Sequence, residues 1–353
     1  MFPFFRYVRR PLSLFIFLAA LPLSPAIDSP PDVHPNNTWS LFARFLDAEK
    51  GSRVDGMAEL KRYLSRFGYL PVATKKIGFD DFFDEELEKA LILYQENLGL
   101  SETGKLDHET MRAIVKPRCG VRDFKAGGKR LKAARKFAYF VGDPVWMRSP
   151  PFLLTYAVSP ANTIDYVSLS EVRKAFRRAF ASWSAAIPVN FTEAEDYAYA
   201  DIRIGWFHGD HGDGEAFDGV LGVLGHAFAP ESGRLHLDAA ERWAVNFDAD
   251  YSDVAVDLES VATHEIGHVL GLAHSSVKDS IMYPSLSPRT KKLGLRKDDV
   301  DGIQSLYGSN PNYRYNSQFE SDMSSGRASR LQMMPPLMAL NALISIAIFI
   351  YFF

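Results

Sequence analysis

Cysteine is almost missing from this chain: one residue, Cys119, in 353. A single thiol forms no disulfide within the chain, so a disulfide-stapled scaffold is excluded. What stays open for it is a metal ligand, half of an intermolecular bridge or a passive buried residue. Excess charge is missing too. The formal net charge is −3, and Lys and Arg are spread along the chain rather than massed in one segment. That leaves no electrostatic case for a nucleic-acid partner. No internal repeat is visible, and long apolar runs are confined to the two ends. With 47% apolar residues the chain has enough material for a sizeable core. Its length predicts about two domains plus extras.

The ends read as processing signals. Arg6, Arg9 and Arg10 precede the apolar run Leu12 to Leu23, and Ser24-Pro25-Ala26 offers small residues at a cleavage point. Residues 1–26 therefore predict a secretory signal peptide; as an uncleaved anchor the run is short for a membrane span. Residues 336–353 are apolar, and the small residues Ser324, Ser325 and Gly326 stand a spacer of about ten residues upstream. This order predicts a glycosylphosphatidylinositol (GPI) signal with attachment at Ser324. The alternative, an ordinary C-terminal transmembrane helix, usually carries basic residues behind it. Both readings put the protein on the outer face of the plasma membrane. Asn36 and Asn190 head N-x-Thr sequons and are candidates for glycosylation there.

Between the ends, residues 41 to about 116 predict a small three-helix domain. Phe42, Phe45 and Leu46, then Leu60, Tyr63, Leu64 and Phe67, then Leu87, Leu91, Tyr94 and Leu98 fall at helical spacing. Residues 117–136 hold Cys119 and a basic, Gly-containing stretch that suits a cleavable linker. A second domain spans 137–308. Strands are expected from Phe152 to Val158 and from Asp201 to Phe207. Ser168 with Glu171 forms a capping box for a helix that buries Val172, Phe176, Phe180 and Trp183. Further helices are expected around Leu258 to Leu270 and Lys297 to Tyr307. Residues 309–335 are polar and Ser-rich, a stalk.

The chemistry centres on His264-Glu265-Ile266-Gly267-His268-Val269-Leu270-Gly271-Leu272-Ala273-His274. Residues four apart share a helix face, so His264 and His268 grip one ion. Gly271 ends the helix, the chain turns, and His274 reaches the same ion. Three neutral imidazoles leave a fourth position for water, as a catalytic zinc requires. Zinc lowers the pKa of that water to about 7, and Glu265 stands ready to take its proton. Met282 follows within Ser280-Ile281-Met282-Tyr283-Pro284, a candidate Met turn beneath the metal.

The three-histidine motif with its Met turn resembles the metzincin peptidases, and the chain from about 41 to 308 resembles the matrix metalloproteinase (matrixin) family. The missing C-terminal propeller and the anchor-like tail resemble its plant branch. The resemblance implies an α+β fold, with a twisted mixed five-stranded sheet and three helices behind a small three-helix prodomain. It also implies a zymogen. Pro117-Arg118-Cys119-Gly120-Val121-Arg122-Asp123 resembles the family's cysteine switch, in which Cys119 takes the fourth zinc position. Arg118 and Asp123 then pair to hold the loop, while Arg122 stands where the family usually has Pro. The stretch from Phe137 to Trp146 resembles the mature amino terminus, whose new amine pairs with Asp298 or Asp299.

Two further sites follow from the same resemblance. His211, Asp213, His226 and His236 would close a structural zinc site with no open position, His208 being a surface copy of the same tripeptide. Asp218, Asp238 and Glu241, with the carbonyls of Gly219, Leu221 and Val223, would hold calcium, and Asp201 aligns with a second calcium ligand. Leu221 to His226 would bind substrate as an added strand, and a pocket near Tyr283 to Leu286 would take an apolar side chain after the cut bond. Gly225 replaces the family's usual Ala. The expected partners are extracellular protein substrates, an activating protease and the lipid anchor's membrane. Two rivals are a non-catalytic surface-binding protein and, since the helical domain resembles peptidoglycan-binding modules, a wall amidase.

Overall fold

A computed structural model describes residues 34–71, 78–123 and 137–315. The expected signal peptide, the basic linker, most of the stalk, Ser324 and the apolar tail lie outside the described residues.

The first unit opens with a 3-10 turn, Ser40–Phe45, and packs three helices: α1, Met57–Arg66; α2, Glu85–Asn97; α3, His108–Ile114. Each follows its apolar spacing. Leu60 and Leu64 of α1 share one buried apolar core with Leu87 and Leu91 of α2. Asp84 caps α2 by accepting from the Leu87 amide, and Asp107 caps α3 by accepting from the Thr110 amide. The expected first helix is only the 3-10 turn. The third true helix is α3, whose seven residues are too few to show a period. Phe217 and Val223 of the second unit join this core, so the two units are packed together rather than tethered.

The second unit is built from β2 (Leu153–Val158), α4 (Leu169–Ala186), β3 (Asn190–Glu193), β4 (Ile202–Phe207), β5 (Val223–Ala227) and β6 (Arg234–Asp238). The short pair β7 (Trp243–Ala244) and β8 (Val256–Asp257) precedes α5 (Leu258–Val269) and α6 (Lys297–Tyr307). The sheet order is β1-β5-β6-β4-β2-β3, where β1 is Arg118–Cys119 of the preceding unit. Five strands thus form the expected mixed sheet, with β5 antiparallel to β6 and the other pairs parallel. Helices α4 and α5 pack through Phe176, Phe180, Trp183 and Ile266, and the Trp183 indole donates to the Thr263 carbonyl at 2.9 Å. That contact fixes α5, which carries the histidines.

Among the described residues no helix is long and apolar enough to cross a membrane. Asn36 and Asn190 are both exposed.

Candidate metal centre

His264, Glu265 and His268 sit on the last two turns of α5. Gly271 follows with φ of 105°, and a side chain there would collide with the Pro144 carbonyl. Only glycine lets the chain turn so tightly that His274 folds back. The three Nε2 atoms converge: His268 to His264 is 3.1 Å and His268 to His274 is 3.2 Å. Each opposite nitrogen meets an oxygen. Nδ1 of His264 lies 2.7 Å from the Ile281 carbonyl, that of His268 2.7 Å from the Leu272 carbonyl, and that of His274 2.6 Å from Asp123 Oδ1. The protons therefore sit on Nδ1, and three bare lone pairs face one another across about 3 Å. Such a trio repels itself unless a cation lies between. A tetrahedral zinc with bonds of about 2.0–2.1 Å spaces its ligands by about 3.3 Å. The donor set fits zinc.

Cys119 fills the fourth direction, its Sγ 3.4 Å from His268 Nε2. All four ligand atoms lie within 4.8 Å of one another and all four residues are buried. Burial, with the Glu265 carboxyl beside it, pushes the Cys119 thiol well above its ordinary value. A metal at the three nitrogens reverses that preference by stabilising thiolate. Burial likewise raises Glu265 to about 8. Neither of its oxygens has a hydrogen-bond partner, and the Cys119 thiol falls short of bonding geometry. A buried carboxyl with no partner is poised for a water that the thiol now excludes.

Met282 lies under the trio. A methyl on Gly267 would run into Met282 Sδ and crowd Trp183, so glycine is what brings the Met turn against α5. Asp299 of α6 holds that turn. It accepts from the Ser280 hydroxyl and from the amides of Ile281 at 2.9 Å, Met282 at 3.0 Å and Arg296 at 2.7 Å.

The segment around Cys119 is held as an extra strand. Arg118 N donates to the Gly222 carbonyl and Gly120 N to the Gly225 carbonyl on one side. On the other, Cys119 N donates to the Pro284 carbonyl and Leu286 N to the Pro117 carbonyl. Gly225 faces Cys119 in register, and an added Cβ there would press on Leu237 and the His236 carbonyl. Arg118 pairs with Asp123 through two 2.8 Å bonds, as expected, and lies over the Phe67 ring at 3.7 Å.

Residues 145–308 match the matrixin family, and 53–114 match the family described as a peptidoglycan binding domain. Metalloendoproteinase 1-MMP of Arabidopsis thaliana is 53% identical over 292 residues, covering 82% of this chain and 79% of its own. Metalloendoproteinase 4-MMP of the same plant is 55% identical over 271 residues, covering 76% and 78%. Human neutrophil collagenase is 40% identical over 270 residues, covering 74% of this chain and 52% of its own.

The chain belongs to the matrixin family.

It is a plant-type matrix metalloproteinase and a metalloendopeptidase, and the three-histidine group is the zinc-type site of a zinc-dependent family. The matrixin carries a second cluster. Asp213 Oδ2 stands 2.8 Å from His211 Nε2, 2.7 Å from His226 Nε2 and 2.8 Å from His236 Nδ1. The antiparallel register sets His226 opposite His236. Burial opposes ionisation of Asp213, but the Glu215 amide and the imidazoles of His226 and His236 outweigh it and hold the carboxyl low. Burial lowers His226 to about 4. His208 is exposed and outside the cluster.

The expected acidic group also assembles. Gly219 N donates to Asp238 at 3.1 Å and Val223 N to Asp218 at 2.7 Å. Glu241 is buried with both oxygens unpartnered, since the nearby Leu221 and Gly222 amides fall short of bonding geometry. Burial raises it to about 8. Leu221 bends through φ of 58° between these acids. Asp201 is placed differently. Its carboxylate is taken by the Thr155 amide and hydroxyl at 2.8 Å and by Arg148 at 2.9 Å.

Residues 137–140 lie along the loop after α5. Ala273 N donates to the Ala138 carbonyl at 2.8 Å, and Phe140 packs edge-on to His268. Asp298 accepts from Ser275 at 2.6 Å. Sequence reasoning missed the acceptors behind the histidines. The Ile281 and Leu272 carbonyls carry no residue signature, and Asp123 was read only as the partner of Arg118.

Proposed function

We propose that this chain is a cell-surface zinc endopeptidase made as a precursor and shut by Cys119. The observation that carries it is the single thiol in the fourth ligand direction, borne on a strand that fills the groove between β5 and residues 284–286. The proposed organisation is a signal peptide (1–26), a propeptide (27–136), a catalytic domain (137–308), a stalk (309–335) and a C-terminal anchor signal (336–353). Asn36 and Asn190 carry glycans, Ser324 carries the lipid, and an activating protease cuts near residue 136.

Zinc, when bound, polarises the scissile carbonyl and acidifies a water. The chain's own residues do the rest. His264, His268 and His274 present lone pairs fixed by their Nδ1 partners. Glu265, beside His264 on α5, takes the water's proton and returns it to the leaving amine. Gly222 and Gly225 offer the carbonyls to which an extended substrate chain donates once the propeptide strand has left. His211, Asp213, His226 and His236 hold a structural zinc. Asp218, Asp238 and Glu241, with the Gly219, Leu221 and Val223 carbonyls, hold calcium. Asp201, beside Arg148, is the ligand offered to a second calcium.

The test is the precursor treated with a thiol-reactive mercurial and offered a quenched peptide, beside a Glu265→Ala control and a zinc chelator. Cleavage only after treatment, lost in both controls, supports enzyme, metal and lock together. Constant silence with zinc still bound turns the reading towards a non-catalytic binding protein.

A further inference from the structure

Next to Glu265 a cavity runs between Leu224 and Val261 on one side and Tyr283 and Leu286 on the other. Lys292 lines it, and it is pinned at both ends. Its backbone amide donates to Ser260 Oγ on α5 at 2.8 Å. Its ammonium donates to the carbonyls of Lys278 at 2.9 Å and Ser280 at 2.8 Å, 5.3 Å from the centre of the Tyr283 ring. An ammonium has three N–H groups. Two meet neutral carbonyls, and among the described residues no carboxylate comes within 4 Å of it.

The wall bearing Lys292 is held in place. Arg289, at φ of 54°, donates its amide to the Ala255 carbonyl, and its guanidinium reaches the carbonyls of Asp250 at 2.7 Å, Ser252 at 3.1 Å and Phe247 at 3.2 Å. Four bonds to one loop fix the backbone three residues before Lys292.

We propose that Lys292 is a specificity-determining residue: it makes this pocket select a side chain with an apolar stem and a hydrogen-bond-accepting tip, such as glutamine, after the scissile bond. The inference rests on the peptidase reading above. A purely apolar side chain filling the pocket would strip water from the half-buried ammonium and offer its third donor nothing in return. An acceptor at the tip restores what burial removed, and burial has already lowered Lys292 to about 8.

The experiment uses the activated full-length precursor and quenched peptides that differ only after the cut bond: leucine, methionine or glutamine. Mass spectrometry fixes the bond cut. The glutamine-to-methionine ratio of kcat/KM is read in wild type, Lys292→Met and Lys292→Arg. The proposal expects the ratio to fall about tenfold in Lys292→Met and to survive in Lys292→Arg, which keeps a donor. A ratio unchanged in Lys292→Met overturns it. If Lys292→Met does not fold, Lys292→Leu, which also lacks a donor, replaces it and the same ratio decides. Wild type cutting none of the peptides refutes the peptidase reading instead, so the two failures are distinct.

Discussion

Asp123 Oδ1 lies 2.6 Å from Nδ1 of His274, joining the segment after Cys119 to the far side of a histidine of the three-histidine cluster. The same carboxylate takes two bonds from Arg118 and one from the Tyr69 hydroxyl at 2.6 Å. Burial would raise its pKa, but Arg118 and His274 outweigh that and hold it well below the usual range. The segment Arg118 to Asp123 therefore meets the site twice: the Cys119 thiol faces the fourth ligand direction, and the Asp123 carboxylate braces His274 from behind.

Asp123→Asn should loosen this grip. It leaves Arg118, fully buried, without a charged partner, and breaking a buried pair costs about 3–5 kcal/mol. Cys119 is only 3% exposed, so alkylation reports opening of the loop. We expect thiol alkylation of the Asp123→Asn precursor to speed up at least about tenfold, with peptide cleavage appearing before any mercurial is added. Alkylation at the wild-type rate would show that the thiol holds alone.

Glu265→Gln keeps shape and removes the base. Peptide cleavage by the activated enzyme should fall by about 10²–10⁴-fold, while zinc content, measured by atomic absorption, stays at the wild-type level. Loss of zinc alongside activity would mean that Glu265 supports the metal rather than moving a proton.

Much of this site was legible because its parts are close in sequence. His264 and His268 share a helix face, His274 follows a glycine turn, and Met282 comes eight residues later. The apolar run at Leu153–Val158 and the partial alternation at Ile202–Phe207 marked their strands, and α6 was bounded to the residue. What escaped depends on long-range placement. Asp123 meets His274 across 151 positions, and β6 opposes β5 by a register that no local pattern sets. Helix α3 is too short to show a period. Lys292 reads as one more surface lysine unless its loop is known to fold over the pocket.

Glu241 gives a pH signature. Its folded pKa of about 8 is raised above the ordinary value of 4.5. Between those values the folded chain holds a proton that the unfolded chain has lost. Stability therefore falls as pH rises from about 4.5 to 8 when no cation is bound. Calcium would occupy the unpartnered oxygens and remove that penalty. The melting temperature in a calcium chelator should drop with pH over this window, and added calcium should raise it most near pH 8. In Glu241→Gln both trends should flatten. A calcium effect of equal size at pH 5 and pH 8 would rule out Glu241 as the linked group.

Gly267→Ala tests the contact under the metal. Its new methyl would meet Met282 Sδ and Trp183 inside a core where Trp183 is fully buried and Met282 is 2% exposed. Overpacking of this kind costs about 1–3 kcal/mol. The turn that carries Met282 is tied in place, its amides bonded to Asp299 and its Ile281 carbonyl bracing His264. Whatever part of the clash reaches that turn also reaches His264. The variant should melt at a lower temperature and lose zinc to a competing chelator faster than wild type. Gly267→Ala combined with Met282→Ala should regain zinc retention, although the smaller side chain leaves a cavity. Faster zinc loss in the single variant that the double variant does not reverse would place the damage in α5 itself and not in the Met turn.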